Sequence, residues 1–244
     1  MLSPNGIQAI LFDLDGTLRH NRPLSVQVFL DYAVQNGAQD SPEQRRSAIR
    51  WTHYYWAQSV ELMEDIEAFK DQHDPFWLNY ARRHLQAFAC EPDLIERLAP
   101  QIHRYMEEQH RPQDWLPPDV PATLQLLKEA GFRLGVLSNR QNPCRDYLEE
   151  LGIAHFFDLA LVAGEVAAWK PQPEIFFHAL ERLGAIPEET LYVGDNFYAD
   201  VVGARRAGLQ PVLIDPDEVF PDAGCTVIRQ IGELPKVLQS QLSG

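Results

Sequence analysis

The sequence predicts an α/β fold: a parallel sheet covered by helices on both faces, interrupted near its start by a helical insertion. Three observations carry this. Short apolar runs rich in branched or aromatic residues stand at 7–12, 133–137, 159–162, 191–193 and 211–214, and continuous runs of this kind fit strands buried on both faces. Segments with helical spacing lie between the later runs and stop at Gly131, Gly152, Gly184 and Gly208, glycine being the usual residue just past a helix end. Finally, roughly a hundred residues separate the first run from the second, where an ordinary crossover needs about a dozen.

The elements follow in order. A strand over 7–12 opens the chain. The interval after it carries apolar residues at three- and four-residue spacing over 26–36, 42–60, 75–88 and 92–109, with little strand-like alternation, and so reads as four helices. Its two connections, HNRPLS at 20–25 and RPQDWLPPDVP at 111–121, are proline-rich; closely placed prolines make them stiff and extended. The expected division is therefore a core of 1–18 and 116–244 with an insert of 19–115. Beyond the insert, helices over 120–130, 142–151, 173–183 and 199–207 alternate with the remaining strands, which implies right-handed parallel crossovers.

Composition narrows the function. The 244 residues carry a formal net charge of −14, and no basic run offsets it, which disfavours a nucleic-acid polymer or an acidic membrane surface as partner. Cys90, Cys144 and Cys225 are odd in number and lack ligand spacing, so neither a disulfide framework nor a zinc site is indicated and a reducing cytoplasm is expected. The N-terminal MLSPNGIQAILF has no basic leader and passes directly into acids, unlike a secretory signal. No stretch reaches the ~18 apolar residues of a membrane helix.

Chemistry concentrates at the strand ends. The first strand runs into Asp13 and Asp15, with Leu14 between them and Gly16-Thr17 after. At the C-terminal end of a central parallel strand, both acids face the crevice where ligands bind. Two carboxylates so close need a cation, a shared proton or both; a hard divalent ion with oxygen ligands would meet that need, and one acid could serve as nucleophile while the other handles protons. The second strand ends at Ser138-Asn139 beside a helix N-terminus, which favours an anion. WKPQPEIF supplies Lys170, and LYVGDNFYAD ends another strand at Asp195 with Asp200 following.

In this order, DLDGT, LSN, KP before a helix, and GDNFYAD resemble the four motifs of the haloacid dehalogenase-like hydrolase superfamily, whose members are mostly magnesium-dependent phosphatases. The resemblance implies a Rossmann-like three-layer α/β/α core with an inserted α-helical cap. It further implies Asp13 as nucleophile, Asp15 as general acid and base, and Mg²⁺ held by Asp195, an Asp13 oxygen and the Asp15 backbone carbonyl. Asp200 would be a supporting acid, and Ser138, Asn139 and Lys170 would hold the phosphoryl oxygens. Thr17, grouped with the phosphate-binding residues, would fix the loop and Asp15.

The expected function is hydrolysis of a small phosphorylated metabolite through an aspartyl-phosphate. A phosphomutase of the same superfamily and a non-catalytic Mg²⁺ or phosphometabolite binder are the alternatives, the latter weakened because binding alone would not require Asp15. The second motif-one acid and Asp195 also argue against dehalogenation. In the insert, IRWTHYYWAQ at 49–58 is read as core packing in preference to a stacking surface for a base or sugar. Arg19, His20, Arg22 and Arg140 are secondary candidates for substrate contact, with an ordinary salt bridge as the competing role for Arg140.

Overall fold

The computed structural model describes residues 6–240; residues 1–5, part of the segment read as lacking a leader, lie outside them. β1 (Ala9–Phe12) is buried throughout. Ile10 and Phe12 enter one apolar cluster and Ala9 and Leu11 another, as alternation on a strand covered on both faces requires. The chain continues through β2 (His20–Arg22), α1 (Ser25–Gln35), α2 (Pro42–Trp56), α3 (Val60–Ala68), α4 (His73–Ala87), α5 (Pro92–Glu108) and β3 (Gln113–Trp115). Then come α6 (Asp119–Glu129), β4 (Arg133–Ser138), α7 (Arg145–Glu150), β5 (Leu159–Val162), α8 (Ala163–Val166) and α9 (Pro173–Leu183). β6 (Thr190–Gly194), α10 (Gly203–Arg206), β7 (Gln210–Ile214), β8 (Thr226–Ile228) and α11 (Leu234–Ser240) complete the order. Two compact units result: Met1–His20 with Leu116–Gly244, and Asn21–Trp115.

The first unit holds a six-stranded sheet in the order β5-β4-β1-β6-β7-β8, parallel at every pairing. Helix residues Val120, Leu124, Leu127 and Leu148 cover one face with Ile10 and Phe12. Ile175, Phe176, Ala179 and Ala204 cover the other with Ala9 and Leu11. This is the three-layer Rossmann-like α/β/α fold. β1 lies between β4 and β6, so the chain steps outward to β5 on one side and returns to start again on the other; that reversal puts a crevice at the C-terminal end of β1. β8 was not anticipated, because Thr226–Ile228 is only three residues long in polar surroundings. The helix expected over 199–207 starts earlier, as a wide π-type turn over Phe197–Val202 that passes into α10. The Asn196 side chain accepts from the Tyr198 and Ala199 amides at 3.0 and 2.9 Å and starts that turn.

In the second unit, Phe29, Leu30, Leu85, Phe88, Leu98 and Ile102 form the centre of a helical core. Ser41 caps α2 by accepting from the Gln44 amide at 3.1 Å, with Pro42 in the first turn, where its missing N–H costs nothing. A single helix over 42–60 was expected; instead Gln58 adopts φ +56° and the Ser59 hydroxyl accepts from the Leu62 amide at 3.0 Å, starting α3. The two connections pair with each other, β2 with β3, and the Arg22 guanidinium lies 3.2 Å from the Trp115 ring centroid. Among the described residues no helix is long and apolar enough to cross a membrane.

Candidate active site

Asp13 directly follows β1, and its amide continues the ladder by donating to the Val193 carbonyl at 2.9 Å. Its carboxylate is buried, and one oxygen accepts from Lys170 Nζ at 2.6 Å. Lys170 is itself buried and donates also to Asp200 Oδ1 at 2.7 Å and to the Tyr192 hydroxyl at 2.9 Å. The Tyr192 hydroxyl in turn donates to the Leu137 carbonyl at 3.0 Å. All three ammonium protons therefore have acceptors, and the ammonium ties β1, β6 and the turn after β6 to one point. Burial alone would lower the lysine's pKa, but Asp13 and Asp200 overcome it and hold the ammonium charged.

The lysine is placed by Asn139. The Asn139 amide nitrogen donates to the Lys170 carbonyl at 2.9 Å, and the Lys170 amide donates back to Asn139 Oδ1 at 2.7 Å. One Nδ2 proton and the Oδ1 of Asn139 are thus committed to the Lys170 loop, and the second Nδ2 proton and the backbone are what Asn139 can offer an anion. Ser138, buried at the end of β4, stands beside it.

Asp195 and Asp200 follow β6. Asp200 is buried, and its second oxygen accepts from the Asn196 amide at 2.9 Å. Gly194 makes room for it: a Cβ there would lie 2.3 Å from Asp200 Oδ2. Asp195 accepts from the Thr17 hydroxyl at 3.2 Å. Thr17 thus steadies Asp195 from the loop that carries Asp15. Gly16, at φ +93°, passes so close that a Cβ would come within 2.4 Å of Asp195 Oδ2; the Gly in DLDGT answers both a left-handed backbone and this approach.

Asp13, Asp195 and Asp200 each present an oxygen, all within 4.8 Å of one another. Burial, and then the neighbouring acids against the attraction of Lys170, raises Asp13 to about 7. Burial together with Asp13 and Asp200 pushes Asp195 well above the carboxylate range. Three carboxylates face one ammonium, so they could all be ionised only with a further cation beside Lys170, and without one burial keeps protons on Asp13 and Asp195. Hard oxygen donors in that arrangement fit a divalent cation such as Mg²⁺.

Asp15 has different company. Arg140 chelates it with Nε and Nη2, both at 2.7 Å, and Arg19 Nε approaches the same carboxylate at 2.8 Å. Burial raises Asp15, but the hydrogen bond from Arg140 and the two guanidinium charges outweigh it and lower the acid's pKa. Arg140 is also stacked on Tyr147, 4.3 Å from the ring centroid. Sequence reasoning missed Tyr192, whose only signal is a hydroxyl inside an apolar strand that must find a partner, and missed that Arg140 and Arg19 converge on Asp15.

Of the remaining candidates, His20 ends the first segment of the α/β unit, while Arg22 and the aromatic passage belong to the helical unit. Tyr55 is buried and donates to Asp65 at 3.0 Å; Trp51 donates to Glu61 at 3.0 Å and packs against Tyr55, Tyr80 and His84. The aromatic passage thus builds a core, although Tyr54 and Trp56 remain 37% and 39% exposed.

The family model of the haloacid dehalogenase-like hydrolases matches residues 7–208. A glyceraldehyde 3-phosphate phosphatase of Methanopyrus kandleri is 33% identical over 85% of this chain and 84% of its own length. A phosphoserine phosphatase of Thermus thermophilus is 30% identical over 96% and 99%. The crystal structure of a HAD phosphatase from Thermococcus onnurineus superposes with a TM-score of 0.56 at 27% identity, covering 95% of this chain and 98% of that one. With the four motifs gathered at the ends of β1, β4 and β6, the chain belongs to the haloacid dehalogenase-like hydrolases, in their phosphatase-type branch.

Proposed function

We propose that the protein is a Mg²⁺-dependent phosphomonoester hydrolase that works through an aspartyl-phosphate on Asp13. The observation that carries this reading is the buried Lys170 shared by Asp13 and Asp200, with Asp195 beside them, three acids that can all ionise only if a second cation joins the lysine. A site built only for stability would not gather three acids around one ammonium, because each buried carboxylate must then be paired or kept protonated.

The residues divide the work. An Asp13 oxygen forms a bond to phosphorus in line with the ester oxygen, whose bond to phosphorus breaks. Asp15, which Arg140 and Arg19 hold ionised in the structure, must leave them to take up a proton; it then gives that proton to the departing alkoxide and takes one from the water that hydrolyses the aspartyl-phosphate, returning Asp13 and releasing orthophosphate. Ser138 and Asn139 receive the equatorial phosphoryl oxygens, Lys170 lends its positive charge beside Asp13 and can turn a proton from that carboxylate to the phosphoryl group as the Asp13 oxygen bonds phosphorus, and positioning with electrostatics supplies most of the acceleration. Asp13, Asp195 and the Asp15 carbonyl would hold Mg²⁺ with Asp200 in support; when bound it neutralises charge on the phosphoryl group as a Lewis acid.

The helical unit stands where the family carries its cap, and we assign it that role from its place in the chain. The substrate is a small phosphorylated metabolite, in keeping with the printed activities of relatives directed at glyceraldehyde 3-phosphate and phosphoserine. The net charge of −14 speaks against a nucleic-acid polymer or a membrane surface as partner, and the three free cysteines suit the cytoplasm. A β-phosphoglucomutase of Clostridium difficile shares the fold at 18% identity, which carries no argument for mutase chemistry.

The test is orthophosphate release from a panel of phosphorylated metabolites, with Mg²⁺ or with EDTA, for the wild type and Asp13→Asn. Metal-dependent release that falls by about 10⁴-fold or more in Asp13→Asn supports the reading. Substantial turnover by the variant would remove Asp13 as nucleophile, and transfer to a second substrate oxygen without free orthophosphate would identify a mutase.

A further inference from the structure

Two sets of cations serve the strand-end acids, and they differ in kind. Lys170 is buried and its three protons are consumed by Asp13, Asp200 and Tyr192. The Arg140 side chain is 27% exposed and grips a carboxylate, Asp15, that is itself 38% exposed. Its fork is rigid: Nε and Nη2 both engage Asp15 at 2.7 Å while the guanidinium lies 4.3 Å from the centroid of Tyr147. A planar guanidinium held this way is shaped for a carboxylate or phosphate edge.

On the reading above, Asp15 must turn to the ester oxygen to deliver its proton. In the arrangement seen here it is engaged on both oxygens by Arg140 and approached by Arg19. Releasing it strips the Arg140 fork of its anion at the place where the leaving group sits and leaves a partly exposed guanidinium open to a new one. Another anion can take the fork, and substrate is what arrives at that moment. We infer that Arg140 is a specificity-determining residue that exchanges Asp15 for a second anionic group on the substrate, so that the preferred substrates are small phosphomonoesters bearing a carboxylate or second phosphate within a few bonds of the ester oxygen. This rests on the phosphatase reading proposed above. The Tyr147 stack suits such an exchange, since it holds the guanidinium plane by contacts that do not involve Asp15. Arg140 touches only the leaving portion, whereas Lys170 faces the atoms that are transferred.

The competing role is that Arg140 merely positions Asp15. Matched substrate pairs separate the two: phosphoglycolate against the phosphate ester of glycolamide, and 1,3-propanediol bisphosphate against its monophosphate. The pairs also tell a carboxylate from a phosphate. For at least one pair the wild type should favour the doubly anionic member in kcat/KM by about 10- to 100-fold, the worth of a charge-assisted bidentate contact. In Arg140→Met both members will slow, because Asp15 loses its partner, but the ratio should collapse towards one; Arg140→Lys, a point charge without the fork, should retain part of it. A ratio near one in the wild type for both pairs overturns the inference, and that arm needs no variant to fold. A wild-type preference that survives unchanged in Arg140→Met overturns it as well and leaves Arg140 as a positioning residue. Release from the neutral members keeps the phosphatase reading intact in either case, whereas no release from any of the four removes both.

Discussion

Both units of the molecule bury charged and polar groups among apolar side chains, but they settle the electrostatics in opposite ways. In the helical unit the buried Asp65 is neutralised locally: Tyr55 donates to it at 3.0 Å, and Arg83 reaches both its oxygens at 2.9 and 2.8 Å. The buried carboxylate is matched by this guanidinium, and the second acid near it, Glu61 at 3.9 Å, lies 36% exposed towards solvent. In the α/β unit three carboxylates meet one ammonium at the end of β1 and β6. The contrast teaches which buried charge belongs to structure and which to chemistry: a carboxylate matched by a guanidinium holds helices together, while a cluster of acids at a strand end can ionise fully only when a further cation joins it.

The largest way to break this comparison is to worsen the imbalance. Lys170→Met keeps most of the volume and removes the cation between Asp13 and Asp200. Measured with saturating Mg²⁺, kcat/KM should fall by about 10²- to 10³-fold, as for loss of a preorganised charge at the phosphoryl group. Urea unfolding in EDTA should show a loss of about 3–5 kcal/mol, because two acids are left buried without their partner. Unchanged kinetics would take Lys170 out of the site. The balanced region should respond through stability. Asp65→Ala deprives Tyr55 and Arg83 of a common acceptor, and since the Arg83 side chain is 30% exposed and can reach solvent, the expected loss is smaller, about 2–4 kcal/mol. A midpoint equal to that of the wild type would show the network to be ornamental.

The same contrast explains how much could be read before any coordinates. Strands buried on both faces announce themselves as apolar runs, so β1, β4, β5, β6 and β7 are legible, and acids that end such runs, Asp13 and Asp195, stand out; Lys170 shows instead as a cation among prolines ahead of a helix. What escaped depended on partners distant in sequence. Thr17 bonds Asp195 across 178 positions, and Asn139 locks Lys170 across 31; no local pattern states either pairing. The break between α2 and α3 escaped for another reason: Ala57-Gln58-Ser59 has neither Gly nor Pro, and the left-handed Gln58 is tolerated because Ser59 starts a new helix with its own cap. Arg140 was visible as a neighbour of Ser138-Asn139, but its hold on Asp15 is a matter of loop geometry.

The smallest expected effect sharpens the comparison from the side of a group that is buried, polar and unpartnered. His84 is stacked 4.2 Å from Phe29 and lies against Trp51 and Tyr80. Neither ring nitrogen has a hydrogen-bond partner within the protein, and burial pushes its pKa down to about 3. The folded protein therefore keeps this imidazole neutral where an unfolded chain, with an ordinary value near 6.5, would protonate it. Between those values the unfolded state binds the extra proton, so stability rises with pH and is lost as pH falls below ~6.5. At pH 5 the cost is about 2 kcal/mol, 1.5 pH units at ~1.36 kcal/mol each. His84→Phe suits the aromatic surroundings and removes this linkage. The stability of the variant relative to the wild type should thus improve by about 2 kcal/mol between pH 8 and pH 5, read from paired urea titrations at the two pH values. If the two proteins instead lose stability in parallel, His84 is protonated in the folded state and the helical core tolerates a charge that nothing in it is placed to balance.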